Sequence, residues 1–105
     1  MATAKSGIIT VGTAGTAVAG PDSGPGTFLL VANQANSGTL VYVGNDGSDD
    51  VGSSDGFPLS TSLGNVLVVT VGDYGLQGYL FDADTSGDGI NYIKVAGQGD
   101  GVPAA

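Results

Sequence analysis

Every apolar stretch of this chain is short. Read in order, the runs are Gly7 to Val11, Gly15 to Ala19, Thr27 to Ala32, Thr39 to Gly44, Asn65 to Val71, Gly78 to Ala83 and Ile90 to Val95, and none exceeds about eight residues before turn chemistry intervenes. Runs of this length, bounded by Gly, Asn, Asp, Ser and Pro, read as strands. Val, Ile, Thr and Tyr dominate them, and these residues favour extended backbone over helix. The stretch Ser60 to Asn65 reads as either a single helical turn or a loop, and no other segment competes for a helix. The expected architecture is all-β: a small antiparallel β-sandwich or barrel of about seven short strands, occupying residues 7–96.

Residues 1–6 and the Gly-rich stretch 97–105 carry little side-chain bulk, so a flexible N-terminal arm and C-terminal tail are expected to flank that domain. With 20 Gly in 105 residues, wholesale disorder is the competing reading. It is opposed by a 41% hydrophobic content and a mean hydropathy of +0.24, because the apolar residues are gathered into runs that can be buried together. Glycine between the runs supplies the φ > 0 conformations of tight reversals.

What the chain lacks narrows its chemistry. It contains no Cys, His, Trp, Glu or Arg, so thiol nucleophiles, histidine proton transfer and Cys/His zinc sites are excluded by inventory, and disulfides with them. Not being an enzyme is the expectation that follows. Ten Asp face only Lys5 and Lys94, giving a formal charge of −8 at pH 7. A phosphate backbone would be repelled, which argues against nucleic acid as a partner. No window approaches the ~18 apolar residues of a membrane helix, and MATAKSG lacks the basic-then-apolar order of a secretion signal, so no membrane partner is expected.

Alternation within the runs points to association. Leu40, Tyr42 and Gly44 alternate with Val41 and Val43, and Val66, Val68 and Thr70 alternate with Leu67, Val69 and Val71, leaving neither strand a polar face. Such strands lie centrally or against a partner subunit. In Ile90 to Val95, the set Ile90, Tyr92 and Lys94 opposes Asn91, Ile93 and Val95, a more ordinary half-exposed pattern. A small domain without disulfides or metal has few routes to extra burial besides a homo-oligomer.

Two acidic clusters stand out. Asp82-Ala-Asp84-Thr-Ser-Gly-Asp88-Gly spaces carboxylates as a calcium loop begins, yet it lacks an acidic fifth position and the closing Glu. Calcium on Asp82, Asp84 and Asp88 is the only cofactor the residues raise, on a weak signal; a turn built from Asp and Gly for their backbone conformations explains the same residues and is the favoured reading. Asp46, Asp49, Asp50 and Asp55 lie in a Gly/Ser stretch with no Trp to bind sugar, and read as a solvated loop rather than a glycosidase pair. The glycines of VGTAGTAVAG lack the Lys of a phosphate loop.

The stretch Gly38 to Tyr92 resembles a recurring small β-domain of tailed-bacteriophage virion proteins. The resemblance lies in the VYVG strand with TFLLVAN before it, the loop closing on Gly56-Phe57-Pro58-Leu59, and the strand leading into Asp82-Ala-Asp84 with Gly87, Asp88 and Gly89, together about half of the chain. It departs from the family pattern in its Asp-rich loop and in the turn Thr61-Ser62-Leu63-Gly64.

What this resemblance implies is a structural virion protein, a capsid decoration or cement protein on the outer surface of the head. Its implied partners are the major capsid protein and copies of itself, with a trimer the favoured oligomer. A tail or fibre part, or a receptor-binding module presenting Tyr74, Tyr79 or Tyr92 to a glycan, is the alternative. The expected interface residues are Phe57 and Pro58 on their loop, with Leu40, Tyr42, Val66, Val68, Tyr79 and Phe81 from the strands. One or both of the arm and the tail are expected to lie along the shell protein.

Overall fold

A computed structural model describes residues 6–44 and 56–96. Eight strands follow one another: β1 Ser6–Thr10, β2 Val18–Ala19, β3 Gly26–Ala32, β4 Val41–Gly44, β5 Phe57–Leu59, β6 Leu67–Val71, β7 Leu80–Ala83 and β8 Gly89–Ala96. They form two four-stranded antiparallel sheets, sheet A in the order β1-β8-β3-β6 and sheet B in the order β2-β7-β4-β5. The chain is thus a β-sandwich, one of the two all-β architectures its short runs allow.

Six of the seven expected runs become strands close to their predicted limits. The run Gly15 to Ala19 contracts to β2, because Thr13 to Thr16 closes a turn in which the Thr16 N–H donates to the Thr13 carbonyl at 3.0 Å. The eighth strand, β5, is only three residues long and carries Pro58, so it falls below the length that marks a run. It pairs with β4 alone, at a sheet edge, where a residue without an N–H is tolerated. Ser60 to Gly64 forms one turn, closed by the Gly64 N–H on the Ser60 carbonyl at 3.0 Å, and Gly75–Gly78 forms a short 3-10 turn.

Alternate residues of both sheets meet in a single core. Ile9, Phe28, Leu30, Ala32, Val69, Val71, Ile90 and Tyr92 come from sheet A, while Val41, Val43, Leu59, Phe81 and Ala83 come from sheet B. Val11 and Leu76 close its ends. Phe28 and Tyr92 pack with ring centroids 6.3 Å apart, tilted by 54°.

The Leu76 end depends on a close backbone approach. Ser23 is buried; its hydroxyl accepts the Leu76 N–H at 2.9 Å and donates to the Gly24 carbonyl at 3.2 Å. Gly75 sits over this pair at φ +61°, and a Cβ there would lie 2.6 Å from the Gly24 nitrogen. Only glycine meets both demands.

Candidate interaction surface

The acidic segment Asp82 to Gly89 is a structural clamp. The Asp88 carboxylate is buried, accepting the Ser37 N–H and hydroxyl on Oδ1 at 2.9 and 3.3 Å and the Gly38 N–H on Oδ2 at 2.7 Å. Its backbone carbonyl accepts the Val11 N–H at 2.9 Å, and the Gly87 N–H donates to the Val11 carbonyl at 2.8 Å. The side chain of Asn36 continues the join, accepting the Gly89 N–H at 2.8 Å and donating to the Gly89 carbonyl at 3.0 Å. Asp and Gly at this turn therefore tie the 36–38 loop to Val11 and β8.

Asp82 and Asp84 share the outer face of sheet B with Tyr42. Asp82 Oδ1 accepts the Gly15 N–H at 2.9 Å and the Ala83 N–H at 2.8 Å. Asp84 Oδ1 accepts the Tyr42 hydroxyl at 2.9 Å, and Oδ2 accepts the Thr39 hydroxyl at 3.5 Å. Burial, the hydrogen bond to Asp84 and the charges of Asp84 and Asp82 push the Tyr42 phenol up to about 12. Burial also raises the Tyr92 phenol. The three carboxylates serve separate donors, and among the described residues no three acidic groups gather as a metal cage.

The other apolar surface lies on the outside of sheet A. Register places Ser6, Ile93, Leu29 and Val68 in one row across its four strands, and Ile8, Asn91 and Val31 in the next, with Val66 just before β6. Val95, two residues beyond Ile93, lies on the same face, at the point where the register between β3 and β8 shifts. Val68 is 58% exposed, Ile8 56%, Val66 and Ile93 50%, and Val95 40%. Single exposed apolar residues are ordinary, whereas a contiguous set makes this face a candidate interaction surface. A shallow hollow of about 470 Å³ opens here between Gly7, Leu29, Val31, Val66, Asn91 and Ile93.

None of the described charged side chains, Asp22, Asp73, Asp82, Asp84, Asp88 and Lys94, belongs to these rows. The half-exposed pattern expected of β8 is present with an unexpected polarity. Ile90, Tyr92 and Lys94 are buried, and it is Ile93 and Val95 that face outward. The cation is inside and the aliphatic side chains are outside.

The residues expected at an interface fall into three groups. Val66 and Val68 lie on the sheet A surface. Phe57, 47% exposed, and Pro58 lie on β5, at the far edge of sheet B. Tyr42 and Phe81 are buried within the single chain, while Tyr79, packed against the core, and Leu40 are half-buried. Of the possible glycan platform, Tyr74 is 77% exposed, whereas Tyr92 is buried.

Ile8, Leu29, Val31, Ile93 and Val95 complete the surface and were not singled out from sequence. The signal that finds them is the opposite phase of the β3 and β8 alternation, which becomes readable once the buried face is known. Residues 1–5, Asp46, Asp49, Asp50, Asp55 and the tail 97–105 lie outside the described residues. Compared with protein-family models, with characterised proteins and with solved structures, the chain matches none.

Proposed function

We propose that this chain is a non-enzymatic structural protein of a tailed-bacteriophage virion, a capsid decoration protein that lies on the outer surface of the head. It acts as a homo-oligomer that holds neighbouring major capsid subunits together. The family resemblance motivates this reading, and the observation that supports it best is the uncharged aliphatic outer face of sheet A, in a chain of charge −8.

Four strands at ~4.8 Å spacing and about five residues at ~3.4 Å rise give a face of roughly 300 Å². At ~25 cal/mol per Å² its burial contributes on the order of 8 kcal/mol, which the cost of association largely offsets. One copy therefore binds weakly. Many copies on a repeating lattice stabilise it by mass action, because separated subunits do not present the composite site. Phe57 and Pro58, on the far edge of sheet B, provide a second contact.

The test mixes the purified protein with expanded, undecorated heads. The wild type co-sediments and adds ordered density to the outer face, and Ile93→Lys, which charges the centre of the surface, loses binding at least about tenfold while remaining folded. Failure to bind heads, together with presence in isolated tails, transfers the protein to the tail or fibre reading. The receptor-binding reading is favoured by one observation, the 77% exposure of Tyr74 beside Asp73. A glycan array with and without chelator decides it, since binding that Tyr74→Ala abolishes is required.

A further inference from the structure

We infer that β6 is a self-pairing edge: two copies join β6 to β6, antiparallel about a two-fold axis, making the two A sheets one eight-stranded sheet. The inference concerns the open edge rather than the face, and it rests on the virion reading only for what the widened face then meets.

The four sheet edges differ in how well they resist pairing. β2 is two residues long, β5 is three residues long and carries Pro58, and β1 contains Gly7 and follows directly on Lys5. Short strands, proline, nearby charge and glycine all discourage an incoming strand. β6, Leu-Val-Val-Thr-Val, is five residues long and contains no proline, glycine or charge; Gly72 and Asp73 lie beyond its end. It is paired with β3 along one side, from Gly26↔Val71 to Leu30↔Leu67, and no described strand pairs with its other side. An uncharged, largely β-branched edge is a template for another strand.

Charge selects the occupant and its direction. A basic partner strand would find no carboxylate in β6, whereas a second copy of this chain offers a neutral edge of the same kind. Asp73 is exposed two residues beyond the end of β6 and is the nearest described charge in the sequence. Parallel pairing would set the two Asp73 side by side. Antiparallel pairing centred near Val69 sets them about 27 Å apart at ~3.4 Å per residue, well beyond the ~8 Å screening length at physiological salt.

An isologous contact of this kind closes after two copies, in place of the trimer implied by the family resemblance. One five-residue ladder buries far less than the ~800 Å² per partner of a standard interface, so the pair depends on concentration. Pairing places the two aliphatic outer faces on the same side and doubles the surface offered to a flat partner.

Sedimentation equilibrium of the full chain, without heads, reads the pairing directly. The expected result is a concentration-dependent species of twice 10.2 kDa, weakened at least about tenfold by Val68→Lys and unchanged by Ile93→Lys. Val68 is exposed, so the first variant tests pairing rather than folding. Hydrogen exchange gives a second readout: the outward amides of Leu67 to Val71 slow as the protein is concentrated. A monomer at ~1 mM, a trimer, a dimer indifferent to Val68→Lys, or β6 amides that exchange equally fast at all concentrations overturns the inference. A dimer that does not bind heads leaves the pairing standing and removes the virion reading.

Discussion

Raising the pH should destabilise this protein through Tyr42, and Tyr42→Phe should reverse the order of stability between variant and wild type. The phenol stands at about 12 in the folded chain, against 10.0 for the free side chain, because it is buried, donates to Asp84 and lies near the Asp84 and Asp82 charges. A folded pKa above the unfolded one means that the folded state holds its proton longer. The stabilisation is therefore complete below pH 10 and is lost as the pH rises from 10 to 12. Each pKa unit is worth ~1.4 kcal/mol, so the wild type loses about 2 kcal/mol over this window from Tyr42 alone.

Tyr42→Phe removes one hydrogen bond to an exposed carboxylate, costing about 1 kcal/mol at neutral pH, and removes the titration with it. The stability difference should change sign between pH 10 and 12, and the Tyr92 contribution cancels in that difference. Urea unfolding of both proteins, followed by circular dichroism at a series of pH values, measures it. Parallel stability curves for the two proteins above pH 10 would refute the reasoning, because they would mean that Tyr42 ionises alike in the folded and unfolded states.

Asp88→Asn should cost about 1–3 kcal/mol, since one amide oxygen replaces two carboxylate oxygens facing three donors. Thermal unfolding should show the same loss in calcium and in chelator if the clamp is structural; a loss seen only with calcium would mark a metal site. Gly75→Ala should destabilise by about 2 kcal/mol or more, because alanine is strained at φ +61° and its Cβ collides with Ser23 and Gly24. Phe81→Ala, at the fully buried centre of sheet B, should cost about 3–5 kcal/mol in denaturant unfolding.

The two-faced strands show how far alternation can be read. β4 and β6 look alike in sequence, each with apolar residues in both phases. In the sandwich β4 is central in sheet B, all four of its residues are buried, and its second face is closed around Tyr42 and Asp84. β6 is an edge strand of sheet A, and its second face, Val66 and Val68, stays open. Pattern alone cannot separate these cases, because the side-chain period states which residues share a face and not what covers it. β8 misleads for the same reason, since Lys94 marks the face a reader would assign to water and lies instead at 5% exposure. The acidic turn was legible as a turn, while its partners were not: Ser37 and Gly38 reach Asp88 from about fifty residues away.

Local chemistry therefore settled the class of structure. Short β-branched runs cut by Gly, Asp and Ser can form only strands and reversals, and an inventory without Cys, His, Glu or Arg confines the chemistry before any folding is considered. Strand order, which faces the two sheets turn toward each other, and which edge is left bare were decided by tertiary packing. These depend on pairings between residues far apart in the chain, such as Phe28 with Val69 on one side and Lys94 on the other. Their energies arise from mutual burial, a property of the assembled pair that neither segment carries in its own sequence.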